Sequence, residues 1–128
     1  MMLEARTVYQ GDTPTWYAAH DLDGNGTLAD LSVGYTCQIK VVGSAVDRAI
    51  STLDTITGYV NKRFVCILTD AETRSLGVGN HIVAIQIANA AIGFAAEDQG
   101  ILTIAAEAIG GTGGPDLATM ELNALQTA

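Results

Sequence analysis

The sequence is poor in aromatic residues, in charges and above all in positive charge. Aromatic side chains make up 5% and charged side chains 16% of its 128 residues, whereas about 25% of residues are charged in an average soluble domain. Six Lys and Arg residues stand against 14 Asp and Glu residues, giving a formal net charge of −8. Nucleic-acid binding and adsorption to anionic membranes both need clustered cations, so the composition argues against both. A weakly charged surface suits a protein that packs against copies of itself or other proteins.

Long hydrophobic runs are also missing. No stretch of about 18 apolar residues could span a bilayer, and the opening residues, MMLEARTVYQ, lack the apolar segment of a secretory signal. A length of 128 residues predicts a single domain that can bury a core, and that core must consist mainly of small aliphatic side chains. We expect a protein that is made and assembled in a cytosol.

Only two cysteines occur, Cys37 and Cys66, each inside an apolar strand-like segment. They could form a disulfide across two sheets, as in immunoglobulin domains, although Trp16 precedes both and so breaks the Cys–Trp–Cys order of that fold. The missing secretory signal favours the alternative, two buried and reduced thiols. Neither cysteine has a CxxC partner, which argues against metal binding.

Alternation of apolar and polar side chains predicts β-strands along most of the chain. Strong candidates span residues 35–42, 63–68, 81–88 and 102–107, and weaker ones span residues 6–9, 15–19, 45–51 and 57–60. Seven or eight short strands separated by turns predict an all-β fold, an antiparallel β-sandwich of immunoglobulin-like or jelly-roll-like type. The segment at 63–68 is apolar on both faces and therefore predicts a central strand.

Glycine, asparagine and acidic residues predict the turns between these strands. Asn25 and Gly26 suit a type I′ hairpin turn, in which both central residues have positive φ. Gly79 and Asn80 predict a second turn, and residues 97–100 (EDQG) predict a third.

One short connecting helix is predicted among the strands. Thr69 and Glu72 fit a capping box, in which each side chain binds the backbone N–H of the other residue. Gly77 predicts the end of the helix, after about Leu76.

The last residues differ in character from the rest. Glycines at 110–114 (GGTGG) predict a hinge, and Pro115 suits the first position of a C-terminal tail helix. The chain thus divides into a β-sandwich domain, residues 1–109, and a hinge with a short amphipathic tail, residues 110–128. So short a helix is marginal alone in water, so we predict that it docks on a surface of the same chain or of a neighbour through its apolar residues Leu117, Met120, Leu122 and Leu125.

Residue types that carry chemistry occur without the spacing that catalysis needs. His20 and His81 are isolated, and neither a G-x-S-x-G motif nor a P-loop is present. Residues 21–26 (DLDGNG) copy the first half of an EF-hand loop, but Ser32 stands where calcium needs a bidentate Glu. A polar turn accounts for the same residues, and a calcium site remains the alternative. We predict no enzyme and no cofactor.

Short turn signatures recur along residues 11–109. They comprise Gly11-Asp12-Thr13 with Trp16, Asp21 with residues 23–26, Asp30-Leu31 with Gly34, and residues 69–73 (TDAET), 78–81 (VGNH) and 101–104 (ILTI). This set resembles the N-terminal β-sandwich domain of tailed-phage baseplate upper proteins and of their relatives in tail fibres.

The resemblance implies a non-enzymatic structural component of a phage virion, namely a tail, baseplate or fibre adaptor module. It implies assembly by protein–protein packing, as a homo-oligomer and with other virion proteins. A capsid decoration (cement) protein is the alternative within a virion. A calcium-binding β-sandwich that binds a ligand is the alternative from another class.

Overall fold

β-Strands dominate the regular structure of the described residues, and a single short helix accompanies them there. The structure is a computed structural model that describes residues 3–106. It contains α1 (Asp70–Leu76), a short 3-10 turn (Ala90–Ile92) and seven strands, β1 (Arg6–Tyr9), β2 (Thr15–Ala18), β3 (Thr36–Val41), β4 (Asp47–Ile50), β5 (Phe64–Ile67), β6 (Gly79–Asn89) and β7 (Phe94–Ala105). The prediction of a β-rich chain with one short connecting helix is confirmed for this range.

Five strands form a mixed sheet in the order β1-β7-β6-β3-β4. Its other pairs are antiparallel, but β1 runs parallel to β7, with Arg6 opposite Leu102 and Tyr9 opposite Ala105. The prediction of a purely antiparallel arrangement is therefore wrong at this edge, because alternation along one strand says nothing about the direction of its neighbour. The strands β2 and β5 form a separate antiparallel sheet.

The long hairpin of β6 and β7 runs through two predicted turns. Its pairing extends from Gly79 opposite Ile104 to Asn89 opposite Phe94. Gly79 and the following residue therefore begin a strand, and residues 97–100 lie within another, so both turn predictions are wrong. Local turn preference is overridden here by cross-strand pairing, which determines strand formation more than intrinsic propensity does.

Gly100 has a packing role rather than a turn role. The segment before β1 crosses β7 at this point, and the N–H of Leu3 donates to the carbonyl of Gln99 (2.9 Å). A Cβ atom at position 100 would lie 2.7 Å from Leu3 Cβ and 2.8 Å from Leu3 O. Only glycine allows the two backbones to approach this closely.

One apolar core joins the two sheets. Alternate residues of β3, β6 and β7 face inward from the larger sheet, as the alternation of apolar and polar side chains in these segments predicts. The core residues within the strands are Cys37, Ile39, Val41, Ile50, Val83, Ile85, Ile87, Leu102 and Ile104 from the larger sheet and Trp16, Phe64 and Cys66 from the smaller one. Small aliphatic side chains therefore make up most of this core.

The strand β5 is not central, contrary to its prediction. Besides its pairing with β2, its backbone is bonded to the segment before it, through a hydrogen bond from Val65 N to Thr52 O (2.9 Å) and an isolated bridge between Leu53 and Phe64. Its outward side chains are apolar although Ile67 is partly exposed. The continuous apolar run of this segment therefore does not mean that the strand is buried on both faces.

The helix α1 begins and ends as predicted. Thr69 Oγ1 accepts the N–H of Glu72 (3.2 Å), and Glu72 Oε1 accepts the N–H of Thr69 (2.8 Å). Gly77 follows the last turn with φ of 80°. Glu72 also accepts two hydrogen bonds from the Arg48 guanidinium, each 2.8 Å long, so the helix is tied to β4.

One turn prediction and one strand prediction are also wrong. Positive φ occurs at Gly24 and Gly26 but not at Asn25, so this loop is not a type I′ turn; the two glycines take the left-handed conformations instead. Residues 57–60 form turns rather than a strand.

Candidate interaction surfaces

The outer face of the five-stranded sheet carries a row of exposed aliphatic side chains. Ile82 and Ile101 lie directly opposite each other on β6 and β7. Val42, just after β3, donates its N–H to the carbonyl of Ile82 (3.0 Å). Val42, Ile82 and Ile101 are 51%, 44% and 49% exposed, and we call them the aliphatic row. A contiguous apolar patch of this kind is typical of an interaction site.

The face around the aliphatic row carries small side chains and little charge. Strand alternation places five alanines on it: Ala49, Ala84, Ala88, Ala95 and Ala105. Its charged residues in the paired strands are Lys40, Asp47 and Glu97. Small side chains allow another protein surface to approach the sheet closely.

Sequence reasoning missed the aliphatic row, although a signal for it exists. Ile82 and Ile101 are out of phase with the inward positions Val83 and Leu102 that follow them. A large aliphatic residue at an outward position of an amphipathic strand indicates a surface that is covered, either by another part of the same chain or by a partner.

A second surface, on the two-stranded sheet, is built around Arg63. Its guanidinium carbon lies 4.0 Å from the ring centroid of Tyr17 and 3.9 Å from that of Tyr59. Both tyrosines are partly exposed, at 47% and 40%. We call these three residues the tyrosine–arginine stack. Arginine and tyrosine are enriched at the centres of protein interfaces, and the stack is a second candidate contact surface.

Asp54 forms an ion pair with the arginine of the tyrosine–arginine stack. Its carboxylate accepts a hydrogen bond from Arg63 Nε (2.5 Å) and another from the N–H of Ile56 (3.0 Å), and the residue is only 5% exposed. The bond from Arg63, followed by that from Ile56, lowers the pKa of Asp54 below its ordinary value. The backbone of Asp54 also donates to Arg63 O (2.9 Å), so one residue organises the whole loop.

The loop that resembles half an EF-hand is closed by its own carboxylates. Asp21 accepts the N–H of Gly26 (2.9 Å), and Asp23 accepts the N–H of Asn25 (2.8 Å) and the hydroxyl of Thr27 (2.7 Å). The Thr27 hydroxyl and then the Asn25 N–H lower the pKa of Asp23 to about 2. These bonds give the acidic residues the turn-forming role of the polar-turn hypothesis. In residues 3–106 no three His, Cys, Asp or Glu side chains are grouped to hold a metal ion.

Both histidines pack or cap within the fold. The His20 ring stacks on Phe94, with ring centroids 3.6 Å apart, and its Nδ1 lies 2.9 Å from the Tyr35 hydroxyl. His81 Nε2 donates to the carbonyl of Gly77 (2.9 Å), just past the end of α1. These contacts account for both residues without a catalytic role.

An open pocket of about 270 Å³ lies between β2 and the β6–β7 hairpin. Ile85 and Ile87 form part of its apolar wall, and Asp21 and Asp98 bring two carboxylates to it. Among the described residues, its lining contains no histidine, serine or cysteine.

The predicted docking residues Leu117, Met120, Leu122 and Leu125 lie outside the described residues, and their role stays a prediction. Comparison with protein-family models and with curated proteins found no match. Within residues 3–106, no helix has the length and apolar character needed to cross a membrane. The aliphatic row and the tyrosine–arginine stack are therefore the features on which a function can be based.

Proposed function

We propose that this protein is a non-enzymatic structural component of a tailed-phage particle, a tail, baseplate or fibre adaptor module that assembles by protein–protein packing. The turn signatures of residues 11–109, which resemble baseplate and fibre domains, support this setting. Two sheets around one core are compatible with the β-sandwich fold expected of such a domain. The net charge of −8 favours protein partners over nucleic acid.

The aliphatic row is the observation that carries the proposal of assembly. The occupant that fits it best is a second copy of this chain. Two copies that each carry a net charge of −8 repel each other, but the paired strands of this face contribute only Lys40, Asp47 and Glu97 to the charge of the contact. Self-packing through the same patch on both copies is the commonest arrangement in homo-oligomers.

Light scattering on the full chain tests this assembly. We expect a dimer or larger species, and we expect the double variant Ile82→Thr/Ile101→Thr to weaken association by at least about 100-fold, because burial of each isoleucine contributes roughly 1.5–3 kcal/mol. Threonine keeps the β-branched shape that the strands favour. The control is Ile56→Thr, which removes an exposed isoleucine from a loop outside this sheet.

Two results would contradict assembly through the row: a monomeric wild-type chain at about 100 μM, a concentration at which even weak interfaces associate, or a double variant of unchanged mass. A chain that ends at Gly110 separates the row from the predicted tail docking. If this truncation alone produces monomers, the tail rather than the row holds the oligomer together.

Immunogold labelling of phage particles tests the proposed location. Antibodies against this chain should label the tail end of intact particles of the phage that encodes it. Label spread over the capsid would replace the tail role by the decoration alternative. Purified particles that contain no trace of the chain by mass spectrometry would overturn the virion proposal altogether.

A further inference from the structure

The two cysteines face each other across the core. Cys37 lies on β3 of the larger sheet and Cys66 on β5 of the smaller one, and both are buried. Their Sγ atoms are 3.7 Å apart, and each cysteine is a free thiol. The protein's only two cysteines are therefore in direct contact although 29 positions separate them in sequence.

We propose that Cys37 and Cys66 are a modification site, a dithiol that a peroxide converts into a disulfide linking the two sheets. This goes beyond the proposed function and does not depend on it. The reduced pair is the state that the structure holds, and the oxidised pair is a second, covalently locked state of the same fold.

The geometry requires only a small movement. A disulfide has a sulfur–sulfur distance of about 2.05 Å, so the two Sγ atoms must approach by roughly 1.7 Å. Cysteine has a single side-chain torsion, and rotation about it moves Sγ while the backbone stays in place. Each backbone is fixed in its own sheet, since Cys37 pairs with Ile50 and Ile87 and Cys66 pairs with Trp16.

The hydrogen bond between the thiols prepares them for different roles. The hydrogen bond between the two thiols lowers the pKa of the Cys37 thiol, while the same bond and burial raise that of Cys66. Cys37 is accordingly the thiol that loses its proton and attacks first, since the thiolate is the nucleophile.

The reaction balances with hydrogen peroxide as the oxidant. The Cys37 thiolate attacks one peroxide oxygen, which gives a sulfenic acid and releases hydroxide. The Cys66 sulfur then attacks the Cys37 sulfur, its proton is lost, and the sulfenic oxygen leaves as water. Overall, two thiols and one peroxide give one disulfide and two waters, with two electrons passing from sulfur to oxygen.

Burial controls the rate of this step. Because both thiols lie inside the core, peroxide reaches them only when the sheets separate transiently. Once formed, the disulfide closes a long loop and stabilises the fold mainly by constraining the unfolded chain.

The test is oxidation of the full wild-type chain under native conditions. Hydrogen peroxide should remove both free thiols, lower the intact mass by roughly 2 Da and raise Tm by roughly 10 °C, and dithiothreitol should reverse all three changes. Peptide mapping of the oxidised wild type should yield one cross-linked peptide that contains both cysteines. Cys37→Ala and Cys66→Ala should each abolish the rise in Tm, and the mapping of the wild type stands even if a variant folds poorly.

Three results would overturn the proposal. Addition of roughly 32 Da would mean that a sulfinic acid forms instead. A disulfide between chains would mean that the thiols leave the core before they react. Thiols that remain free until a denaturant unfolds the protein would mean that the native pair does not react.

Discussion

Replacing Ile39 by alanine is expected to lower the free energy of unfolding by about 3 kcal/mol and Tm by more than roughly 10 °C. Ile39 has no exposed surface and lies between Arg48 on β4 and Ile85 on β6, facing the smaller sheet. Its removal forfeits the transfer energy of three carbon atoms and leaves a cavity that the paired strands cannot close, because their backbones are fixed by hydrogen bonds.

The matched control for this prediction is Ile82→Ala. Ile82 lies in the same sheet but on the outer face, where it is partly exposed. In the monomer this substitution should cost well under 1 kcal/mol, and thermal and urea unfolding of both variants measures the difference. Equal losses for Ile39→Ala and Ile82→Ala would contradict the assignment of Ile39 to the buried face and of Ile82 to the exposed face of the sheet.

Asp54→Asn is expected to lower Tm by roughly 5 °C or more at neutral pH. Asparagine keeps the size of the side chain and can still accept the N–H of Ile56, but it loses the charge that pairs with Arg63. The loop around residues 54–63 and the tyrosine–arginine stack should loosen together, because one carboxylate anchors both.

The pH dependence of this effect is the sharper measurement. The native pKa of Asp54 is lowered below its ordinary value of 3.8, so its contribution to stability is fully present above that value and is lost as pH falls through the lower native pKa. The Tm difference between wild type and Asp54→Asn should stay constant from about pH 7 to pH 5 and shrink below about pH 4. A difference that persists undiminished at pH 2 would show that charge is not its cause. The control is Glu97→Gln, which neutralises an exposed carboxylate that accepts a hydrogen bond from the Gln99 side chain.

Strand positions could be predicted from the sequence wherever one face of the strand is buried and the other is exposed to solvent. The segment of β3 is the clearest example: Cys37, Ile39 and Val41 alternate with polar residues, and the three are buried as expected. The capping box of α1 was predictable for a similar reason, since its two hydrogen bonds connect residues three positions apart.

Features that depend on distant contacts could not be predicted. The sequence around Gly100 suggests a turn. The glycine is needed for a different reason, namely the close approach of Leu3, at the other end of the described chain. The tyrosine–arginine stack likewise combines Tyr17 with Tyr59 and Arg63 only after the smaller sheet has formed. No local pattern encodes such pairs.

The candidate site shows the same division. The acidic turn at Asp21 and Asp23 was recognisable because its hydrogen bonds are local. The aliphatic row was not, because Ile82 and Ile101 become neighbours only through the register of the β6–β7 hairpin. A search of each predicted strand for large apolar residues that break the apolar–polar alternation would identify Ile82 and Ile101 as candidates.

The parallel pairing of β1 with β7 has a consequence for how the chain is made. A ribosome releases Arg6 long before Leu102, the residue beside which it must lie. The β3–β4 hairpin can form early in synthesis, whereas β1 has to wait until almost the whole described chain has emerged, and closure of so long a loop is slow. A product of premature termination upstream of β7 would therefore lack two sheet strands rather than one, since β1 would have no neighbour to join.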